Sequence, residues 1–214
     1  MIRSKTPNAV IARLPIYHRY LSSLEEMGFV RISSQQLAER MGVTASQIRQ
    51  DINCFGGFGQ QGYGYNIAEL KKRIEEILGL GRIYKMVVVG AGNIGQAITN
   101  YLAFREMGFQ TVALFDNDLR RIGKVVGDVF VRPVKEMGAY LQRNKIDIGV
   151  IATPKPAAQG VCDSLTANGV NAIWNFAPVD LVVAPNVKLR SVHLSDALMV
   201  LSYHMMEDDA KELN

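Results

Sequence analysis

Apolar positions recur at helical spacing through the first third of the chain, then give way to short β-branched runs. Val10, Leu14, Tyr17, Leu21 and Leu24 form the first stripe, which stops at Gly28. Thr6-Pro7 predicts its start, with Thr as the cap and Pro at the first helical position. Pro15 falls inside the stripe and predicts a kink or a later start. Ser33 and Gln36 have capping-box spacing ahead of Leu37, Ala38 and Met41, and Gly42 ends that helix. Thr44 and Gln47 repeat the box and open a helix to about Phe55, while Asn66 and Glu69 open another carrying Ile67, Leu70, Ile74, Ile77 and Leu78. Beyond it the pattern alternates: strands over 84–89, 111–115, 125–131, 147–152 and 171–174, with helices over about 95–104, 134–143 and 156–168 between them. A last helix runs from Ser195 to about Met206, with Ala197, Leu198, Leu201 and Met205 on one face. It follows the completed sheet, so a second subunit is its natural cover.

A short helix, a glycine turn and a second helix make a helix–turn–helix pattern. The second helix would enter the major groove, presenting Ser46, Gln47, Arg49 and Gln50 near its N-terminal end. Arg can fork onto guanine and Gln can pair with adenine, while Ser46 and the helix N-terminus suit phosphate. Residues 55–65 then alternate glycines with aromatics, the composition of a short hairpin wing.

The strand ending at Val89 runs into Gly90-Ala91-Gly92-Asn93-Ile94-Gly95 and a helix. This is the dinucleotide fingerprint in its proper strand–turn–helix setting: a tight turn, backbone close to a pyrophosphate, and close helix–strand packing. The next strand ends in Asp116, 21 residues beyond Gly95, where a ribose-binding acid falls. A carboxylate there favours NAD+ and NADH over the 2′-phosphorylated forms; Arg120 and Arg121 point the other way. The remaining α/β alternation predicts a parallel Rossmann sheet, and ligands bind beyond the carboxyl ends of such strands. Thr153-Pro154-Lys155 and Asn175-Phe176-Ala177-Pro178 therefore border the nicotinamide half.

Charge separates the two halves. Residues 1–85 hold 12 Lys/Arg and 7 Asp/Glu, residues 86–214 hold 12 and 13, so the basic excess lies on the helix–turn–helix side. No apolar run is long enough for a membrane span, and Arg3, Lys5, Arg13 and Arg19 break any signal-peptide core. Cys54 and Cys162 build neither a disulfide framework nor a zinc site, which makes the cytoplasm the expected compartment and a metal unexpected. His18, His193 and His204 stand apart from the nucleotide motifs, and no Ser/His/Asp grouping, HExxH or YxxxK occurs. An enzyme is therefore not expected; the alternatives are an NAD-dependent oxidoreductase with a helical N-terminal interaction domain, or an adaptor holding a structural nucleotide.

Six segments together resemble the Rex family of bacterial redox-sensing repressors: residues 32–37, 44–52, 55–65, 89–95, 115–118 and 175–179. The resemblance implies a winged-helix DNA-binding domain over 1–80, a Rossmann NAD(H)-binding domain over 81–194, and a dimer-swapped C-terminal helix and tail over 195–214. It implies a homodimer that binds a palindromic operator in the NAD+ or apo state and releases it with NADH. Arg49 and Gln50 would read the operator, with Gln60, Gln61 and Tyr63 in the wing. Arg19 and Tyr101 match positions tied to the redox switch, and Tyr101 also borders the nucleotide. The chain departs from the family pattern twice. Members often carry Arg-Lys in the recognition helix and Arg in the wing, where this chain has Arg49-Gln50 and Gln61, implying a different operator preference or a shallower salt dependence. The third switch position, often Asp, is His193, so the implied salt bridge from Arg19 to an acid would be absent.

Overall fold

A computed structural model describes residues 6–56 and 63–212, with side chains of the last helix through Met206. The chain divides into two compact units, Met1–Arg82 and Ile83–Asn214.

In the first unit, helix α1 (Asn8–Glu26) precedes strand β1 (Arg31–Ile32), helices α2 (Ser34–Met41) and α3 (Ala45–Asn53), strand β2 (Tyr65–Asn66) and helix α4 (Ile67–Leu78). The predicted stripe of α1 is buried throughout and packs with Leu37, Ile48, Ile52, Leu70 and Ile74. One expectation for α1 fails: Pro7 occupies the cap position with no side-chain bond, so Thr6 does not cap. Of the kink or later start expected at Pro15, the later start is absent, because the helix runs from Asn8 through it. An interior Pro costs roughly 3 kcal/mol. Burying Leu14, Leu21 and Leu24 at about 1.5–3 kcal/mol each outweighs that cost. Gly42 takes a left-handed φ of 66° and closes α2. Strand β1 has no counterpart in the sequence reading: two residues are too few for a period, and it exists because Arg31 pairs antiparallel with Asn66 and Ile32 with Tyr65.

The second unit contains β3 (Tyr84–Val89), α5 (Asn93–Asn100), α6 (Leu102–Glu106), β4 (Phe109–Asp116), β5 (Val125–Val126), β6 (Val129–Pro133), a 3-10 turn (Val134–Glu136), α7 (Met137–Arg143), β7 (Ile148–Ile151), α8 (Lys155–Ala167), β8 (Ala172–Asn175), β9 (Lys188–Ser191) and α9 (Leu194–Glu212). The sheet runs β5-β6-β4-β3-β7-β8-β9, parallel except for β5 against β6. Val87 and Val89 face a core with α7 and α8, while Met86 and Val88 face a core with Ile94 and Ile98 of α5. A strand covered on both faces needs a continuous apolar run, and residues 86–89 supply it. The chain winds outward from β3 to β4 and β6, then crosses to β7 on the other side of β3. The crevice at that reversal is where such sheets hold ligands.

Four details differ from expectation. The strand expected over 125–131 is a hairpin, β5–β6. The helix expected to reach residue 104 breaks at Tyr101, whose ψ is 101°; Thr99 Oγ back-bonds the Gly95 carbonyl at 2.8 Å one turn earlier. The sheet is not complete at β8, because β9 adds a parallel edge strand. The last helix starts one residue before Ser195 and reaches Glu212, and every side chain from Leu194 to Met206 is exposed within the chain.

Candidate nucleotide cleft and nucleic-acid interface

Helix α2 opens with a complete capping box: Ser33 Oγ accepts from Gln36 N at 3.1 Å, and Gln36 Oε1 accepts from Ser33 N at 3.0 Å. Thr44 Oγ accepts from Gln47 N at 3.1 Å, but the expected return bond is missing. The Gln47 amide instead donates to Asp51 Oδ1 at 2.8 Å, one turn on, so Gln47 is half-buried and committed. Ser46, Arg49 and Gln50 remain exposed on α3. The Arg49 guanidinium donates to Ser34 Oγ at 3.1 Å, which aims it back over the start of α2.

Asp51 is the buried centre of this unit. It is 1% exposed and accepts from Arg13 Nε at 2.6 Å, Arg13 Nη2 at 2.8 Å and the Tyr17 hydroxyl at 2.7 Å. Burial pushes its carboxyl up, yet the bonds from Arg13, Tyr17 and Gln47 hold it below the ordinary carboxylate value. Neither Arg13 nor Asp51 stands out in the sequence, since 38 residues separate them. Gln60 and Gln61 lie outside the described residues. Tyr63 is largely exposed, and its carbonyl accepts from Arg31 Nη1 at 3.3 Å, placing a further cation beside it.

In the second unit a cleft of about 420 Å³ opens at the sheet reversal. Gly90, Gly92 and Ile94 line it after β3, Asp116 at the end of β4 and Arg121 beyond it, Thr153 and Pro154 after β7, and Phe176 and Pro178 after β8. Gly90 has φ 105°, and a Cβ there would sit 2.4 Å from the Ala152 carbonyl oxygen. A Cβ on Gly95 would sit 1.8 Å from the Gly90 carbonyl oxygen, so only Gly allows α5 to lie against the turn. A Cβ on Gly92 would meet nothing within 4 Å, leaving that backbone open to a phosphate.

Asp116 is 5% exposed. Its Oδ2 accepts from Ala91 N at 2.7 Å and Arg121 Nη1 at 3.1 Å, and its Oδ1 accepts from Asp118 N at 2.8 Å. Burial raises its pKa, but the backbone bonds from Asp118 and Ala91 and the contact with Arg121 bring it below the ordinary value. A carboxylate has about four acceptor positions, so one remains for a ribose hydroxyl. Arg120 is no free phosphate ligand: it forks onto Asp118 at 2.8 and 3.0 Å. After β7, Thr153 borders the cleft, and its Oγ1 is buried and lacks a hydrogen-bond partner among the described residues. A buried hydroxyl without a partner beside a cleft fits a polar ligand group. Phosphate-facing backbone, a charged acid and this hydroxyl together suit a nicotinamide dinucleotide.

The remaining expected residues divide. Ala91 and Gly95 are buried supports of the turn, and Asn93 is the first residue of α5. Asn175 is fully buried and spends its amide on its own loop and on β9: Nδ2 donates to the Val179 carbonyl at 2.9 Å and to Ser191 Oγ at 3.3 Å, and Oδ1 accepts from Ala177 N at 2.9 Å. Asn175 and the buried Ala177 therefore hold Phe176 and Pro178 against the cleft rather than lining it. Tyr101 lines a separate cavity of about 340 Å³ with Arg105 and Asp128. An aromatic series, Tyr101–Phe104–Trp174–Phe176, links the two places with centroid spacings of 4.7, 5.5 and 4.6 Å. His193 Nε2 lies 3.7 Å from the exposed Asp180 carboxylate, and Arg19, in the other unit, sits over the Tyr20 ring. No His, Cys, Lys or Tyr is among the described residues of the cleft wall, and His18 is bonded to Glu75 at 2.9 Å.

Two family models match the chain: a putative DNA-binding protein N-terminus over residues 5–53 and a CoA binding domain over residues 82–179. The redox-sensing transcriptional repressor Rex of Clostridium acetobutylicum is 54% identical over 199 residues, 93% of each chain. The chain belongs to the Rex family of redox-sensing transcriptional repressors. The Rex protein of Thermoanaerobacter pseudethanolicus is 50% identical over 207 residues, 97% of this chain and 92% of its own. Among solved structures, the Rex-family repressor RSP in complex with β-NAD+ and operator DNA superposes with a TM-score of 0.89 at 50% identity, covering 98% of this chain and 97% of RSP. RSP in complex with β-NADH gives 0.91 at 47% identity, covering 99% and 100%. The resemblance read from the six sequence segments thus holds across nearly the whole chain.

Proposed function

We propose that this chain represses transcription as a cytoplasmic homodimer, binding a palindromic operator when its cleft is empty or holds NAD+ and releasing it when the cleft holds NADH. The carrying observation is the pairing, in one chain, of a capped helix–turn–helix with a Gly90–Gly92 cleft that has Asp116 at its ribose end. Residues 1–80 read DNA, 81–194 hold the dinucleotide and 195–214 make the dimer.

Ser46, Arg49 and Gln50 of α3 contact the groove, and Gln60, Gln61 and Tyr63 supply further DNA contacts. Gln47 acts through Asp51, orienting α3 rather than touching bases. In the cleft, Gly90 to Ile94 bind pyrophosphate through backbone N–H groups, and Asp116 accepts from a ribose hydroxyl. Thr153, Pro154, Phe176 and Pro178 surround the nicotinamide, held by Asn175 and Ala177. The bound dinucleotide supplies the signal, its reduced ring neutral and puckered, its oxidised ring a flat cation.

Helix α9 supports the dimer. Leu198, Leu201 and Met205 are exposed, and so are Met199, Val200 and Tyr203 elsewhere around the helix. A helix apolar nearly all round is stable only when enclosed, which a swapped partner does. Two recognition helices must then stand about one DNA turn, or a multiple of it, apart. Arg19, Tyr101 and His193 are the residues through which the cleft sets that separation. Only a difference in ligand affinity between the two conformations can shift them.

Gel-shift titration with each nucleotide tests the reading. NADH should weaken operator binding far more than equal NAD+; equal responses would reject it.

A further inference from the structure

The end of β4 and the turn after it present contradictory chemistry. Asp116 suits a free ribose hydroxyl, whereas Arg120 and Arg121 are the side chains that elsewhere accept a 2′-phosphate. Asp118 settles the conflict. Its carboxylate takes both prongs of the Arg120 fork, and Oδ1 also accepts from Arg120 N at 2.9 Å. Its Oδ2 lies 3.8 Å from Arg121 Nε, while Arg121 Nη1 reaches Asp116. The turn is closed by the Asp118 carbonyl, which accepts from Arg121 N at 2.9 Å and Ile122 N at 3.1 Å. Two carboxylates and two guanidiniums thus cancel locally.

Resting on the dinucleotide reading above, we infer that Asp118 is a specificity-determining positioning residue, holding Arg120 away from the adenine ribose so that the cleft takes NADH and refuses NADPH. Asp118 is not part of the cleft wall, and the backbone N–H that Asp116 uses is present whatever side chain residue 118 carries. Removing its carboxylate leaves Asp116 facing two cations, a net positive charge where a 2′-phosphate would sit. Arg120 is 87% exposed, so no packing restrains it once the fork is gone. The pair itself is strongly polarised: Arg120 bonding holds the Asp118 carboxyl down to about 2, keeping it charged at every physiological pH. Asp118→Asn would retain some of the hydrogen bonding and should show an intermediate effect.

The test is direct nucleotide binding, read by reduced-nicotinamide fluorescence and by calorimetry, on full-length protein without DNA. Wild type should bind NADH and take up NADPH at least tenfold more weakly. Asp118→Ala should keep NADH affinity within about threefold and gain about tenfold for NADPH, with the gain shrinking in high salt. Adding Arg120→Ala should remove the gain. Unchanged NADPH affinity with intact NADH binding overturns the inference, as does a gain that survives Arg120→Ala or a loss of NADH binding in Asp118→Ala. If wild type binds neither reduced nucleotide, the dinucleotide reading itself fails, and the inference with it.

Discussion

Arg13 grips Asp51 with both prongs of its guanidinium, at 2.6 and 2.8 Å, joining α1 to α3, the second helix of the helix–turn–helix. The carboxylate is 1% exposed and the arginine side chain 28%, so this is a largely desolvated pair rather than a surface contact. Tyr17 and Gln47 complete its hydrogen bonds. Removing one partner of such a pair strands a buried charge, at about 3–5 kcal/mol. Arg13→Ala should therefore lower the unfolding free energy of the first unit by roughly 3 kcal/mol, measured by denaturant titration. Apo operator binding should weaken with it, while NADH binding stays unchanged.

Acid and base should each erode stability through this cluster, and acid also through Asp116 in the second unit. Asp51 and Asp116 titrate below their ordinary value of 3.8 when folded, so what they contribute is present above that pH and lost as pH falls through their depressed values. Tyr17 behaves oppositely. Burial and its bond to Asp51 raise its pKa above the ordinary 10.0, so its contribution is full below that pH and lost on further rise. Unfolding free energy should be level across neutral pH from these groups and fall at both ends. In a pH series, Asp51→Asn should flatten part of the acid limb and Tyr17→Phe part of the alkaline limb; unaltered limbs would contradict the assignment.

Asp116→Ala should weaken NADH binding by about ten- to a hundredfold, the loss expected for a hydrogen bond to a charged group. Part of the loss will come from releasing Ala91 N in the phosphate turn. Gel shifts of the nucleotide-free variant should match wild type, and NADH should no longer release its operator at wild-type concentrations.

Thr153→Val separates ligand binding from stability. The hydroxyl is buried without a partner among the described residues, a state costing about 1–3 kcal/mol. The isosteric valine should leave the nucleotide-free protein as stable as wild type or more so, by thermal unfolding. Its affinity for NADH should fall several-fold. A stability loss with unchanged affinity would show that the hydroxyl serves the fold alone.

Trp174 is the only tryptophan, and its ring lies tilted against Phe176 of the cleft wall with centroids 4.6 Å apart. NADH should quench its emission by energy transfer and NAD+ should not, which gives a titration that needs no label. Phe176→Leu should reduce the NADH response more than Phe104→Leu, since Phe104 touches the tryptophan but does not line the cleft.

Local signals were legible where the cause is local. Ser33 with Gln36, Gly42, and the stripe from Val10 to Leu24 act within one or two turns, and each stands where its spacing predicts. The Gly90–Gly95 turn is readable because its conformation and its close approach both require a missing Cβ. The later start expected at Pro15 and the return bond expected from Gln47 are absent for the opposite reason. A distant core holds the helix through Pro15, and a carboxylate buried by distant helices draws Gln47 away. The edge strand β9 escaped notice because Lys188–Ser191 shows no apolar run; its pairing to β8 alone makes it a strand.

The sequence by itself determined the two-part organisation, the starts of α2, α3 and α4, the glycine turn and the acid at the end of β4, because each rests on backbone geometry or short-range periodicity. Only the tertiary structure decided that Arg13 and Tyr17 secure α3 through Asp51, that Asn175 braces a loop instead of facing ligand, and that Asp118 occupies Arg120. Those are partnerships of charge and hydrogen bonding, and their strength depends on burial and direction. No linear spacing encodes either.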